Sequence, residues 1–548
     1  MEEDNDVLTT CLQSSKSAIG FVMIQTSRRR FLSTLSGSIA ASSLPSFGAE
    51  KQDLKTISII HTTDLHGHIL PTKTYEGIGN VGGLARCSTL IRTWRRQNPD
   101  NLLVDAGDLY QGTHLSRRNE GALMVKLLNK LNYDAWTLGN HDFDWGIDPA
   151  VAAVRDSNMP VLAGNLNIDG KVAGTLEADS HPLSKIAPYQ IFERAGFRIG
   201  VLGLTTPGLP FWLRPEMIKG LEPLDPAVVA KDIIAKMQSE GVDAIVAIGH
   251  MGSKFGKDDF ANRVHAILEG NRDIDVYIAG HTHQDMAQYS FNGATYTQAS
   301  YYGVHLGRVD LTFSREQRKL VHKRAFTIFM DNRFEPDPFV LAVARDEINA
   351  AEEELARPVG TVTAPLSADF KRGQPNDQEK LIAAAIQHAL KQKQTSVDAV
   401  FHGAFLTEAI PAGAKTMNDL WEVIPYENMI VTTELTGAQI VIMLEEVFNV
   451  NRFSDRNLVG IDVTVEKIDG SWKVRQLKRP GADSPIAPDE KVTIALNTYD
   501  AQSGGKRFMK LRDIVNAPES KATFYPVETR DALAEYFLST KTINPALL

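Results

Sequence analysis

From residue 55 onward, short apolar runs alternate with helical periodicities. The runs cover Ile57–His61, Leu102–Asp105, Ala135–Leu138, Ile199–Leu204, Ala244–Ile248 and Val276–Ala279. Each has four to six mostly apolar residues, the length and content of a buried strand. Between them, Gly83–Arg95, Gly121–Leu131 and Pro226–Ser239 space their apolar residues along one face of a helix. Such alternation predicts an α/β layered domain. The pattern breaks at Asp331–Pro338, which holds two prolines and no apolar periodicity. Phe339–Ala356, rich in Ala and Glu, reads as a helix, and a second α/β pattern begins beyond Arg357-Pro358. The expected organisation is an N-terminal segment (1–50), a first domain (51–335), a linker helix (336–357) and a smaller second domain (358–548). A chain of 548 residues exceeds what one core normally serves, which agrees with this division.

Composition narrows the classes of function. With 43% hydrophobic and 23% charged residues, the chain is ordinary for a soluble globular protein. A net charge of -9 argues against a nucleic-acid backbone binder, but not against small anionic substrates if a metal cluster supplies positive charge locally. No uninterrupted apolar run reaches the length of a membrane span. Ser27-Arg28-Arg29-Arg30-Phe31-Leu32, followed by the small-residue stretch Ser33 to Ala49, resembles a twin-arginine export signal. Met23 lies just before it, so residues 1–22 read as an idle extension or a misassigned start. The expected location is periplasmic or otherwise extracytoplasmic, with cleavage near Ala49. Only Cys11 and Cys87 are present, and Cys11 would leave with the signal, so no internal disulfide is expected.

The candidate chemistry follows the strands. Asp64-Leu-His66-Gly-His68 follows the first run, Gly-Asp108 the second and Gly-Asn140-His141-Asp142-Phe-Asp144 the third. Gly-His250 follows Ala244–Ile248, and Gly-His281-Thr-His283 follows Val276–Ala279. In open α/β sheets, ligands bind at the carboxyl ends of strands, so residues far apart in sequence can converge. Residues i and i+2 of an extended segment face the same way, which predicts that Asp64 and His66 reach one metal together and that His281 and His283 point into the same site. Asp108 is the candidate carboxylate to bridge two metals, and Asn140 offers a neutral oxygen. Such a mixed set suits two borderline divalent ions such as Zn²⁺, Mn²⁺ or Fe²⁺.

In their order and type, these five motifs resemble the calcineurin-like metallophosphoesterase family. The resemblance implies a four-layer αββα domain. It places Asp64, His66, Asp108 and His283 on one metal and Asp108, Asn140, His250 and His281 on the other. His141 and Asp144 become a catalytic pair that assists the leaving group. Two metals roughly 3.5–4 Å apart would activate a shared water and offset charge on the phosphoryl group. His61 and His265 read as structural, and His68 and His114 as site-wall candidates only.

Residues 358–548 resemble the C-terminal domain of the 5′-nucleotidase family, through Ile424-Pro425-Tyr426-Glu427-Asn428 and Asn497-Thr-Tyr499 with Ser503-Gly504-Gly505-Lys506-Arg507-Phe508. The resemblance implies a smaller α/β domain in which Tyr426 and Phe508 sandwich a nucleobase. Asn497, Gly504, Gly505, Arg507 and His402 would complete the substrate site. The family's Asn-Gly-Gly-x-Arg segment is altered here to Phe401-His402-Gly403-Ala404-Phe405-Leu406-Thr407-Glu408, without an arginine. Lys506, Arg507 and Arg372 are candidates for a relocated anion clamp. The expected function is dinuclear-metal hydrolysis of phosphate esters, nucleotides first, with no nucleic-acid partner. A sulfur-ester hydrolase acting on a carrier protein and a non-catalytic nucleotide-binding or metal-binding protein are the alternatives.

Overall fold

A computed structural model describes residues 53–177, 181–254, 257–450 and 455–548, and residues from 52 to 548 form one compact unit. The export signal expected within residues 1–50 lies outside the described residues. No helix among the described residues is long and apolar enough to cross a membrane.

Two stacked sheets build the first domain. One has seven strands in the spatial order Lys319–Phe329, His305–Ser314, Leu54–Thr62, Asn101–Asp105, Ala135–Thr137, Val161–Leu162 and Ile186–Ala187. The other has six, in the order Asp285–Phe291, Ala294–Ala299, Val276–Ala279, Ala244–Gly249, Phe197–Leu204 and Tyr189–Arg194. Alternate side chains explain the stacking. Ile57, Ile59, Leu102 and Val104 meet Ile199, Val201, Val246 and Ile248 in one cluster between the sheets. The intervening Ile60 and Leu103 pack outward with helices Leu84–Gln97 and Ala122–Lys130. Leu202, Ile245 and Ala247 pack outward with helices Pro226–Ser239 and Val264–Gly270. The result is helix, sheet, sheet, helix. Strands covered on both faces are mostly apolar, which is why the sequence shows them as short runs.

The connecting helix runs Pro338–Leu355 and is capped by Asp337, whose carboxylate accepts the Phe339 N–H. Its role differs from that of a free linker. Val340, Ala344 and Ala351 are buried in the same core as the outer helices of the first domain. The second domain has a five-stranded sheet in the order Arg456–Val459, Ala399–Gly403, Lys491–Asn497, Met429–Thr436 and Thr523–Glu528. Val400 faces a core with helices Asp377–Gln392 and Thr529–Thr540, while Phe401 faces one with Gly437–Asn449 and Met509–Asn516.

Candidate metal centre and substrate face

Neighbouring strands Leu54–Thr62, Asn101–Asp105 and Ala135–Thr137 are parallel, as are Phe197–Leu204, Ala244–Gly249 and Val276–Ala279. Their carboxyl ends therefore open on one edge of each sheet, where the expected ligands follow. Asp64, His66, Asp108 and His283 form one group and Asp108, His250 and His281 a second, with candidate donor atoms inside each group within 4.8 Å of one another. His66 Nε2 lies 3.1 Å from His283 Nε2, His283 Nε2 lies 3.4 Å from an Asp64 oxygen, and His250 Nε2 lies 3.0 Å from Asp108 Oδ2. Asp108 is common to both groups.

These donors fit a pair of divalent cations. Asp64 and Asp108 are buried carboxylates, and buried anions need nearby positive charge. Asn140 Oδ1 is buried and finds no hydrogen-bond partner, and the buried His250 Nε2 faces only the Asp108 carboxylate, at 3.0 Å. Leaving the Asn140 oxygen unpaired costs about 1–3 kcal/mol, a cost that metal ligation would remove. The outer nitrogens are already engaged. His66 Nδ1–H donates to the Gln111 carbonyl at 2.8 Å and His250 Nδ1–H to the Ala106 carbonyl at 2.8 Å, which leaves each Nε2 as a lone-pair donor.

Convergence has a different cause from the extended i, i+2 spacing expected. Asp64, His66, Asp108, His281 and His283 all have left-handed backbones, with φ of 50°, 47°, 53°, 72° and 56°. Side chains beyond glycine enter that region at a cost of roughly 1–2 kcal/mol each. Backbone anchors hold them there. The Asp64 N–H donates to Gly107 O at 2.9 Å, the His66 N–H to Asp108 O at 2.9 Å, and the His281 N–H to Asp64 Oδ1 at 2.9 Å. The buried Asp142 carboxylate accepts from Asp108 N, Leu109 N and Gly139 N at 3.1, 2.9 and 2.8 Å, and so ties two ligand-bearing turns together. Asp142 stands inside the Gly-Asn-His-Asp motif, but its anchoring role has no separate signal in the sequence. Gly107 is required here: at φ 92°, an added Cβ would approach Gly139 N and His250 Nδ1 to 2.8 Å.

His141 and Asp144 form a pair, Nδ1 to Oδ2, at 2.6 Å. The His141 ring lies 5.2 Å from that of His66, and its backbone N–H donates to Asp108 Oδ1 at 2.8 Å. Burial disfavours a charged imidazole here. The Asp144 and Asp108 carboxylates outweigh it and lift the imidazole to about 10, so the ring carries its proton at neutral pH. Of the other histidines, His61 is buried with both nitrogens unpartnered, and His265 lies 3.2 Å from Ser253 Oγ. His68 stacks on Tyr302 at 3.8 Å, and His114 pairs with Glu354 at 2.7 Å.

Comparison with known proteins follows the same division. Residues 57–285 match the family model for calcineurin-like phosphoesterases, and residues 358–513 match that for the 5′-nucleotidase C-terminal domain. The chain joins a calcineurin-like phosphoesterase domain to a 5′-nucleotidase C-terminal domain. It is 25% identical to endonuclease YhcR of Bacillus subtilis over 88% of this chain, but spans only 40% of that protein. It is 25% identical to a 5′-nucleotidase of Vibrio vulnificus, over 83% of this chain and 86% of the other. A putative 5′-nucleotidase of Staphylococcus aureus shares the fold, with a TM-score of 0.72 at 22% identity over 89% of this chain and all of its own, 100%.

In the 5′-nucleotidase C-terminal domain, the expected substrate residues divide. Tyr426 is 46% exposed and its ring lies 5.5 Å from that of Phe405. Phe508 is fully buried in the core and does not form an open sandwich with Tyr426 in this structure. The guanidinium groups of Arg456 and Arg507 lie 5.2 and 5.5 Å from its ring centre, and Gly504 abuts the ring. Asn497 caps the short helix Thr498–Ala501, and its amide is spent on Asp500 at 2.9 Å. His402 is buried, with Nδ1 2.7 Å from Gly403 O and Nε2 unpartnered. Arg507 donates to Gly504 O at 2.6 Å and to Tyr499 Oη at 3.1 Å.

The candidate clamp residues also separate. Arg372 donates to Phe448 O at 3.1 Å and lies over Trp472, so it is held within its own domain. Lys506 lies 5.0 Å over Phe211 of the phosphoesterase domain, where Ser503 Oγ donates to Phe211 O at 3.0 Å. Gly505 abuts Trp212, whose ring lies 5.1 Å from the His281 ring. Arg456, which the sequence did not single out, grips Asp500 at 2.9 and 2.8 Å. A second contact between domains joins Gln111 Nε2 to Glu427 Oε2 at 2.5 Å, and Arg530 backs Glu427 at 3.0 Å. Gln111 also supplies the carbonyl that orients His66, so Glu427 lies one residue away from a ligand's support.

Proposed function

We propose that the chain hydrolyses phosphate esters with the help of two divalent metal ions, and that nucleotides are its first class of substrate. The observation that carries this reading is the shared Asp108, which belongs to two donor groups at once. Asp64, His66, Asp108 and His283 would hold one ion, and Asp108, Asn140, His250 and His281 the other. Bound there, the ions would supply an acidified water and positive charge opposite the phosphoryl oxygens. The chain's own residues do the rest. His141 donates a proton or strong hydrogen bond to the departing oxygen, which leaves poorly as an alkoxide. Asp144 fixes the ring through its Nδ1 and stabilises the charged form. Manganese, zinc and iron all agree with the carboxylate, imidazole and amide donors.

The nucleotide assignment draws on the matched C-terminal domain and on Tyr426, whose exposed ring offers a stacking surface to a base. The Arg-Arg-Arg-Phe-Leu order near residue 30 supports operation outside the cytoplasm. Purified protein should be assayed with Mn²⁺, Zn²⁺ or Co²⁺ against nucleoside mono-, di- and triphosphates, cyclic nucleotides, UDP-sugars and simple phosphomonoesters. Turnover of nucleotides above simple phosphomonoesters supports the reading. Turnover of none of them refutes it and directs attention to a sulfur ester on a carrier protein, an alternative to which the missing arginine of the Phe401–Glu408 segment lends support.

A further inference from the structure

His283 is held unlike the other engaged imidazoles. His66 and His250 give Nδ1–H to main-chain carbonyls and His141 gives it to a carboxylate, but His283 Nδ1 lies 2.7 Å from the hydroxyl of Tyr75. Tyr75 lies on the segment between Thr72 and Val81, which pair with each other at 2.7 and 3.0 Å, and it is 60% exposed. An exposed tyrosine would ordinarily be free to swing. This one is fixed by two independent contacts. Its backbone N–H donates to Tyr301 Oη at 2.9 Å, and its ring stacks on Tyr301 at 4.2 Å with 20° between planes. Its hydroxyl also donates to Tyr302 Oη at 3.3 Å, which leaves its lone pair directed to His283.

We propose that Tyr75 is a positioning residue for the first metal ion. By accepting Nδ1–H it selects the His283 tautomer that carries a lone pair on Nε2, and it fixes the ring so that this lone pair meets Asp64, His66 and Asp108. Groups that support a ligand in this way change metal affinity by about 10–100-fold when lost. The inference rests on the two-metal reading and adds to it a residue outside the ligand set. Because His283 belongs to the Asp64, His66 and Asp108 group and not to the Asp108, His250 and His281 group, the support acts on the first ion.

The test is Tyr75→Phe, which keeps the ring stack and removes only the hydroxyl. Mn²⁺ binding to metal-stripped protein is measured by titration calorimetry, and the visible absorption of the Co²⁺-loaded protein is recorded alongside. The expected result is two sites in the parent and, in the variant, one site weakened about tenfold with the other unchanged and an altered Co²⁺ spectrum. Tyr75→Ala, which also removes the stack, should weaken the same site at least as much. A variant that binds both ions like the parent, with an unchanged spectrum, overturns the role of Tyr75 alone. A parent that binds no ions overturns the two-metal reading instead.

Discussion

Replacing His141 by alanine separates leaving-group assistance from every other part of the proposed reaction. None of the seven expected ligand side chains changes, and the main-chain N–H at this position still reaches Asp108, 2.8 Å away. Only the imidazole is lost, together with its 2.6 Å contact to Asp144. In the metal-free protein nearby carboxylates lift that imidazole to about 10, and Asp144, which is not among the ligands, keeps its contact to the ring when ions are bound. General acid assistance contributes roughly 10²–10⁴-fold. This corresponds to about 2.7–5.4 kcal/mol of transition-state stabilisation, at about 1.36 kcal/mol per tenfold. The loss should depend on the leaving group. A nucleoside or alkyl alcohol needs the proton, so kcat should fall by that full range. A p-nitrophenolate leaves without one, so its loss should be about tenfold or less. The assay is kcat on both substrate types with metal content measured in parallel. Equal losses on both substrates with metals retained would refute the role given to His141.

Three further outcomes follow from particular residues. Tyr426→Ala should raise KM for nucleotides with little change in thermal stability, whereas Phe508→Ala should destabilise the protein by about 3–5 kcal/mol, as expected for a buried ring; denaturant melts and steady-state kinetics tell the two apart, and the reverse pattern would restore Phe508 to the substrate face. Burial pushes the Asp142 carboxyl up to about 7, so above about pH 8, where it is charged, Asp142→Asn should lose one or two of three main-chain hydrogen bonds, about 1.5–3 kcal/mol each, and loosen the Asp108 turn; unfolding curves there that match the parent would contradict this. Burial lowers His61 to about 3, so below 6.5 the unfolded chain takes up a proton that the folded one refuses. Stability should then fall with pH between 6.5 and about 3 by up to roughly 1.4 kcal/mol per unit, and His61→Leu should have a shallower acid limb in pH-dependent melts.

The six central parallel strands are legible because they are covered on both faces, whereas Val161–Leu162 and Ile186–Ala187 are too short to leave a run and Ala294–Ala299 is broken by threonines and a glutamine. Ala244–Ile248 has no polar residue, and Ile57–His61 holds only the small Ser58 before His61, so both runs read as strands. The antiparallel strands Asp285–Phe291 and Lys319–Phe329 were not legible, since much of each lies exposed and polar residues break the pattern. The ligand set could be read from residue type beside glycine, but the way it converges could not. Left-handed backbones at Asp64 and His281 come from long-range anchors, which leave no local signature. In the second domain, an aromatic residue after a glycine pair looks alike in sequence whether it faces a base or a core, and only packing separates Phe508 from Tyr426. Tyr75 was invisible for a related reason: its partner is 208 residues away, and nothing around it resembles a ligand motif.

The central claim is a dinuclear centre bridged by Asp108. Metal-stripped protein should be titrated with Mn²⁺ while bound metal per chain and phosphoesterase activity are followed together. The account predicts saturation at two ions per parent chain, with activity appearing as the second ion binds, and loss of both ions in Asp108→Ala. Saturation at one ion, or an Asp108→Ala variant that keeps two, would contradict it.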